Sequence, residues 1–171
     1  FRLEKGVTDL FDYGVDENDY YIVMKRYPIS LKQWREQLSG SLEEHLPKFL
    51  TVYREILKAV KIIHKNNVTH YDLKCDNVFL EDPIEECQIT IGDFGECRMF
   101  INSEDETCLR NKGTEYIKSP EMLDLTRAAR KDNDKFDRRR KVGTTRASDI
   151  WSLGCLLYEL LTGEFLFYHQ D

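Results

Sequence analysis

The first thirty residues alternate between apolar and polar segments in a way that predicts two strands joined by a turn. The segment 7–13 ends before Gly14, the polar stretch 16–19 follows it, and 20–24 is an apolar run that favours β structure. Two such strands around a polar turn predict an antiparallel hairpin. Pro28 ends the second strand, because proline has no N–H to donate to a neighbouring strand.

Caps and apolar spacing predict helices in three further places. Ser30 is a candidate N-cap for a short helix over 31–38. Over 47–65 apolar residues recur at steps of three and four, which predicts an amphipathic helix that begins at its proline. The segment 147–161 is apolar on almost every side, so we expect it, Trp151 included, in the middle of a core.

Short strands are expected near 77–81 and 87–92, so the chain mixes helices and strands. Its 171 residues are 41% apolar and 12% aromatic, which suits one globular domain with a buried core. No apolar run approaches the roughly 20 residues of a membrane-spanning helix, and the start has no charged-then-apolar leader. We therefore expect no membrane segment and no signal peptide, and a chain that begins inside a longer reading frame.

Charge and cysteine content exclude several classes of function. The net charge of −6 repels a polyanion, so we expect no nucleic-acid binding. The five cysteines form an odd set without a C-x-x-C pair, which argues against a disulfide framework or a zinc site. Reduced thiols predict a cytoplasmic protein.

The stretch 127–141 holds eight basic and three acidic residues. This leaves open a docking surface for a regulatory partner or a nuclear signal, although a solvated insertion is favoured.

Four short motifs carry the candidate chemistry, and their order and spacing are far more specific than any one of them. Along the chain they are His70-Tyr71-Asp72-Leu73-Lys74-Cys75-Asp76-Asn77, Asp93-Phe94-Gly95, Ser119-Pro120-Glu121 and Asp149-Ile150-Trp151-Ser152-Leu153-Gly154. The first lies between the long amphipathic helix and a predicted strand. The second directly follows the strand-like run 89–91.

With these motifs the sequence resembles the eukaryotic protein kinase family. They are similar to the catalytic loop H-R-D-L-x-x-x-N, the D-F-G motif, A-P-E with Ser in place of Ala, and the D-x-W-S-x-G helix. The resemblance implies an α+β, protein-kinase-like fold, with the last strands of a small lobe and the hinge in 1–27 and a mainly helical, incomplete large lobe in 28–171. It places the Gly-rich loop, the β3 lysine and the αC glutamate before Phe1, so we expect the isolated chain to be inactive.

The resemblance implies transfer of the γ-phosphate of ATP, with Mg²⁺, to a hydroxyl of a protein substrate. Asp72 would receive the proton of the attacking hydroxyl, and Lys74 would offset charge near the γ-phosphate. Asn77 and Asp93 would supply the hard oxygen ligands that Mg²⁺ prefers.

The segment from Met24 to Tyr27 is similar to the end of strand five and the hinge of the family. Met24 corresponds to the gatekeeper, and the main-chain groups of Lys25 and Tyr27 would face the adenine. Phe79 falls where a residue packs under the purine ring. Lys25 departs from the usual glutamate, which leaves contacts made by the backbone intact.

Two further polar residues would be structural. The resemblance implies that His70 packs near the D-F-G turn and that Asp149 holds the backbone of the catalytic loop.

Lys74 and Thr114 are typical of kinases that act on serine and threonine. Two alternatives compete with this interpretation. A pseudokinase scaffold is disfavoured by the four intact catalytic positions, and a small-molecule phosphotransferase is disfavoured by the Ser-Pro-Glu and Asp-x-Trp-Ser-x-Gly motifs.

Tyr71 stands where most of the family has an arginine that pairs with a phosphorylated residue of the activation segment. A tyrosine has no charge to match a phosphate. The sequence therefore predicts that activity does not strictly require phosphorylation of Ser103 or Thr107, unless Arg98 or Arg110 replaces the missing partner.

Overall fold

The structure is a computed structural model that describes residues 5–82, 88–100, 112–131 and 144–168. The chain divides into a first compact unit, Phe1–Ile62 with Asp76–Gly92, and a second, Ile63–Cys75 with Asp93–Asp171. The predicted division at residue 27 into small-lobe and large-lobe parts stays a prediction.

The described residues form both strands and helices. The strands are β1 Leu10–Asp16, β2 Asp19–Met24, β3 Ile29–Ser30, β4 Val68–Thr69, β5 Val78–Leu80, β6 Ile89–Ile91 and β7 Arg98–Met99. The helices are α1 Leu31–Gln37, α2 Leu42–Lys65, α3 Pro120–Lys131 and α4 Ala147–Thr162. Within these parts of the chain, no helix has both the length and the apolar character needed to cross a membrane.

The strands of the first unit form a hairpin and a three-stranded sheet. β1 and β2 pair antiparallel as predicted, but β1 begins at Leu10 rather than at residue 7. Val7 and Thr8 pair instead with Ile91 of β6, whose carbonyl accepts the Thr8 N–H at 3.0 Å. β3, β5 and β6 form an antiparallel sheet in that order, which confirms the two predicted short strands.

A capping box makes α1 begin where the sequence predicts. The Gln33 N–H donates to Oγ of Ser30 at 3.2 Å, and the Ser30 N–H donates to Oε1 of Gln33 at 3.0 Å. Leu31 and Trp34 form the buried face of the helix. Trp34 meets Phe49 of α2 edge-on, with ring centroids 5.9 Å apart.

The start of α2 differs from the prediction. The helix begins at Leu42, and Pro47 lies inside it. The Glu44 N–H donates to Oγ of Ser41 at 3.3 Å, and the Ser41 N–H donates to Oε2 of Glu44 at 3.2 Å. The predicted start was wrong because the capping box formed by Ser41 and Glu44 sets the first turn of the helix. Pro47, one turn later, removes only one backbone hydrogen bond of the helix and is tolerated there.

α4 is the predicted second long helix, but it is buried on one face only. Leu156 is inaccessible, whereas Ile150 is 60% exposed and Trp151 is 38% exposed. The expectation that Trp151 is a core residue was therefore wrong. Its ring stacks on Phe167, with centroids 5.7 Å apart. Because α4 is apolar on almost every side, its composition alone did not show which of its faces is buried.

Ser30→Ala should remove the cap of α1 and lower the free energy of unfolding by about 1 kcal/mol, measured by chemical denaturation of the full-length protein. Ser39→Ala is the matched control, because Ser39 is exposed and lies just beyond the same helix. We expect the control to change stability by less than about 0.5 kcal/mol. Equal losses in the two variants would contradict the capping role.

Candidate active site

A short strand pair in the second unit positions two of the four motifs. β4 and β7 pair antiparallel, and the Phe100 N–H extends the pairing by donating to the Asn67 carbonyl at 2.8 Å. His70 directly follows β4, and Asp93 precedes β7 in the chain. Because the end of one antiparallel strand lies beside the start of its partner, the pairing brings both motifs to the same end of the pair.

The carboxylate of Asp149 is fully buried and fixes the backbone of the catalytic loop. Its Oδ2 accepts the His70 N–H at 2.9 Å, and its Oδ1 accepts the Tyr71 N–H at 2.8 Å. Nε2 of His64 lies 2.7 Å from the same Oδ2. A buried carboxylate needs such partners, and the expectation that Asp149 is structural is confirmed.

Tyr71 adopts a left-handed conformation with φ of 66°, which is uncommon for a residue other than glycine. Its N–H is held by Asp149, and its hydroxyl donates to the Thr144 carbonyl at 3.1 Å. The side chain is 4% exposed and belongs to an apolar cluster with Phe100 and Met122. The side chain of Tyr71 therefore joins the catalytic loop to its surroundings through uncharged contacts.

Gly113 sets the approach of a second loop to the catalytic loop. Its φ is +80°, and a Cβ at this position would collide with the carbonyl oxygen of Tyr71. Glycine alone tolerates both conditions. The consequence is that the next residue, Thr114, lies beside Asp72.

Asp72, Lys74 and Thr114 form a hydrogen-bonded triangle. The Thr114 N–H donates to Oδ1 of Asp72 at 2.8 Å. Nζ of Lys74 donates to Oγ1 of Thr114 at 2.6 Å and lies 3.1 Å from Oδ2 of Asp72. The Lys74 and Asp72 side chains are 19% and 9% exposed, so water screens their attraction less than it would at the surface.

The surroundings of Asp72 keep its carboxylate ionised. Burial raises the pKa of Asp72, but hydrogen bonds from Thr114 and Lys74, together with the Lys74 charge, outweigh burial and hold the pKa below its ordinary value. A carboxyl group with a lowered folded pKa stabilises the fold above its unfolded pKa, and this stabilisation is lost as the pH falls through the folded pKa. Asp72 is therefore a charged acceptor at neutral pH.

His70 lies beneath the loop and is completely buried. Its ring meets Phe94 of the D-F-G motif edge-on, with centroids 4.9 Å apart. Its Nδ1 accepts the Asp72 N–H at 3.2 Å. The ring is thus a spacer between the D-F-G turn and Asp72, which confirms its structural role.

The two predicted metal ligands lie in different units and are described separately. Asn77, in the first unit, is 5% exposed, and its main-chain carbonyl accepts the Gly92 N–H at 2.9 Å. Asp93, in the second, is exposed, has a left-handed φ of 56°, and accepts the Gly95 N–H on Oδ1 at 3.4 Å. Both side chains carry hard oxygen atoms that suit Mg²⁺. Among the described residues, no group of three or more His, Cys, Asp or Glu side chains is placed to hold a metal ion. A Mg²⁺ ion that is bound to phosphates needs only one or two protein ligands, so it does not require such a group.

The predicted nucleotide-binding residues Met24, Lys25, Tyr27 and Phe79 all belong to the first unit. Tyr27 and Phe79 stack, with ring centroids 5.3 Å apart and an interplanar angle of 16°. Met24 ends β2 and is 45% exposed. The stacked pair presents aromatic surface of the kind on which a planar ring packs.

Sequence reasoning did not identify His64, Thr144 and Glu159 as parts of this framework. Glu159 is 4% exposed in α4, and its Oε2 accepts the Cys75 N–H at 3.1 Å. A signal for Glu159 existed, because a carboxylate in an otherwise apolar helix has to find a donor. His64 and Thr144 had no local signal, since their partners lie 85 and 73 residues away in the chain.

Most of the residues named in the sequence-based predictions about regulation lie outside the described part of the chain. These are Ser103, Thr107, Arg110 and 132–141 of the basic stretch. Arg98 is described, and its guanidinium carbon lies 5.3 Å from the centroid of the Phe100 ring.

Comparisons with known proteins identify the family. The model of the protein kinase domain matches residues 3–171, and the chain belongs to this family. The predictions of the family and of an α+β, kinase-like fold are confirmed.

Relatives and solved structures show how much of a kinase the chain covers. A probable serine/threonine-protein kinase of Dictyostelium discoideum is 42% identical over 187 residues, which cover 100% of this chain and 8% of that protein. Human mitogen-activated protein kinase 4 is 33% identical over 162 residues, which cover 93% of this chain and 23% of that protein. A chain of the yeast RNA Pol II CTD kinase CTDK-1 complex is similar in structure, with a TM-score of 0.70 and 19% sequence identity. The match covers 98% of this chain and 48% of that one, and it shows a similarity of fold. The chain thus spans less than a quarter of the length of these two relatives.

Asp149→Asn should weaken the framework beneath the catalytic loop. Both backbone partners of Asp149 donate, so an amide nitrogen at this position would face at least one donor. We expect the free energy of unfolding to fall by about 3 kcal/mol, measured by denaturation of the full-length protein. Asp19→Asn, at an exposed position in β2, should change it by less than about 0.5 kcal/mol. Similar values for the two variants would refute the role of Asp149.

Proposed function

We propose that the chain carries catalytic residues of a protein serine/threonine kinase, which transfers the γ-phosphate of ATP to a protein hydroxyl. The observation that supports this most directly is the triangle of Asp72, Lys74 and Thr114. It holds an ionised carboxylate beside a cation, which suits the transfer of a charged phosphoryl group to a hydroxyl. The relatives reported above are themselves named as serine/threonine or mitogen-activated protein kinases.

In the proposed step, the acceptor oxygen bonds to the γ-phosphorus while the bond between that phosphorus and the β–γ bridging oxygen breaks, and ADP leaves. The hydroxyl proton passes to the carboxylate of Asp72, which the Thr114 N–H orients through Oδ1. The ammonium of Lys74 offsets negative charge on the transferred group. Positioning and charge compensation, rather than covalent chemistry by the protein, are what this reaction requires.

Asn77 and Asp93 are each proposed as a Mg²⁺ ligand. When bound, Mg²⁺ neutralises charge on the phosphate oxygens. The amide oxygen of Asn77 and the carboxylate of Asp93 have the hard donor character that this ion prefers. The exposure of Asp93 is consistent with a ligand that meets an ion arriving with its nucleotide.

The hinge is proposed to bind adenine through the main-chain groups of Lys25 and Tyr27, with Met24 as the gatekeeper. Phe79 would pack against the purine. Its stacking on Tyr27 supports the assignment, because it keeps the Phe79 ring in a fixed plane.

The proposed partner is a protein substrate. A cavity of about 360 Å³ in the second unit is lined in part by Glu115, the residue after Thr114 in the chain, and offers room for a substrate side chain. Its other lining residues include Tyr116, Leu123, Trp151 and Phe167. Cytoplasmic location, no role in nucleic-acid binding and docking through 127–141 remain predictions from the sequence.

The alternative of an inactive scaffold has no observation in its favour. Asp72, Lys74, Asn77 and Asp93 all have side chains that match their proposed roles.

Asp72→Asn should lower kcat by about a hundredfold to ten-thousandfold, because an amide still accepts the Thr114 N–H but cannot take a proton. The measurement is phosphate transfer from ATP to a general protein substrate by the full-length protein. Asp76→Asn, in the same loop and paired with Lys32 at the surface, is the matched control and should retain most of the activity. Near-normal kcat in Asp72→Asn would rule out the proposed role of this residue.

The full-length protein should phosphorylate serine or threonine and not tyrosine. Lys74 and Thr114, joined at 2.6 Å, motivate this expectation. Phospho-amino-acid analysis of a labelled substrate is the measurement, and dominant phosphotyrosine would overturn the proposed specificity.

Thr114→Ser keeps the hydroxyl that Lys74 contacts, so it should be far more active than Thr114→Ala.

A further inference from the structure

An ion pair links the hinge to the strand after the catalytic loop. Lys25 directly follows β2, and its Nζ donates to Oε2 of Glu81, directly after β5, at 2.8 Å. We propose that this pair, the hinge latch, makes Lys25 a positioning residue for the nucleotide, because it holds the hinge against the β5–β6 strands. The inference rests on the proposed function, in which the hinge binds the adenine of ATP.

Glu81 is anchored to the sheet independently of Lys25. Its Oε1 accepts Oγ1–H of Thr90 at 3.1 Å, and its N–H donates to the Gln88 carbonyl at 3.1 Å. Thr90 lies in β6 and is 2% exposed. The acceptor of the latch is therefore fixed, so the pairing constrains the hinge rather than the sheet.

Lys25 is also tied to the aromatic pair. Its Nζ lies 5.3 Å from the centroid of the Tyr27 ring, within range of a cation–π interaction. Tyr27 in turn stacks on Phe79. A side chain that bonds Glu81 and lies over Tyr27 sets the position of the hinge residue whose main chain is proposed to face the adenine.

Phe79 also packs closely against the backbone at Gly92. A Cβ at Gly92 would come within 2.8 Å of Cε2 of Phe79, so the phenyl ring occupies room that only glycine leaves. Of the two stacked rings, Tyr27 is the one that Lys25 contacts directly. This is why we expect the latch to act on nucleotide affinity.

Both members of the latch are charged near neutral pH. The hydrogen bond to Glu81 raises the pKa of Lys25, and the hydrogen bond from Lys25 lowers the pKa of Glu81. Their side chains are 38% and 35% exposed, so salt should weaken the pair and its contribution to global stability should be small.

The test measures the dissociation constant of ADP and the KM for ATP in the full-length protein. Lys25→Met keeps the length of the side chain and removes its charge, and Glu81→Gln removes the partner charge. Each variant should weaken ADP binding about threefold to fivefold, and the double variant no more than either one. The loss should raise the KM for ATP and leave kcat unchanged. About 0.5 M salt should weaken ADP binding more in wild type than in the variants, because only wild type has the ion pair to screen.

The exchange of the two charges, Lys25→Glu with Glu81→Lys, should recover most of the affinity. Lys58→Met is the matched control, because Lys58 pairs with Glu55 at the same 2.8 Å in the first unit, and it should leave ADP binding unchanged. Melting temperatures of the variants equal to that of wild type would show that the loss of ADP affinity does not come from unfolding.

The outcomes distinguish the latch from the proposed function. If wild type transfers phosphate and Lys25→Met binds ADP as tightly as wild type, the latch is wrong and the function stands. If ADP binding depends on the pair but no phosphate is transferred, the function is wrong and the latch stands. If wild type binds no ADP, both are wrong.

Discussion

The buried carboxylate of Asp149 is the interaction on which the rest of the second unit depends. It has no access to solvent, and its partners come from three positions on the chain before and within the catalytic loop: His64, His70 and Tyr71. Loss of a partner from a buried charge costs several kcal/mol, so these residues have to be in place together. The backbone that carries Asp72 is therefore set by the fold, and the proposed phosphoryl transfer would need this kind of preorganisation.

The same constraint explains an unusual backbone and a glycine. Tyr71 keeps a left-handed conformation because its N–H is bound to Asp149 and its hydroxyl to Thr144. Its carbonyl oxygen then leaves no room for a side chain at Gly113. With that approach permitted, the Thr114 N–H reaches Asp72, and the pKa of this carboxyl falls below its ordinary value despite burial. Asp149 thus acts on Asp72 only indirectly, through the chain of close contacts that runs from Tyr71 to Gly113 and Thr114.

The sequence predicted those features that depend on local pattern or on spaced motifs. The cap at Ser30 and the long helices needed only short-range signals, whereas Asp72 and Lys74 were singled out because four spaced motifs resemble those of one family. The start of α2 was missed because a proline suggested the first turn, while Ser41 and Glu44 formed a capping box upstream. His64 as a partner of Asp149 and Thr144 as a partner of Tyr71 escaped prediction for a different reason: hydrogen bonds across some 70 to 85 residues follow from tertiary packing, which periodicity does not encode.

Two of the departures from the family pattern, at Tyr71 and Lys25, have a common physical logic. Where the family usually has a charge at the Tyr71 position, this chain has a neutral side chain, and the structure surrounds it with Phe100, Met122 and the Thr144 carbonyl. Where the family usually has an acid at the Lys25 position, this chain has a base, and the residue opposite it is an acid, Glu81. A charged side chain at the Tyr71 position would lose its hydration without gaining a partner, which costs free energy. An acid at the Lys25 position would lie beside Glu81, and the two like charges would repel. Each substitution is therefore matched by its surroundings: the neutral side chain of Tyr71 lies among uncharged groups, and the charge of Lys25 has an opposite charge beside it.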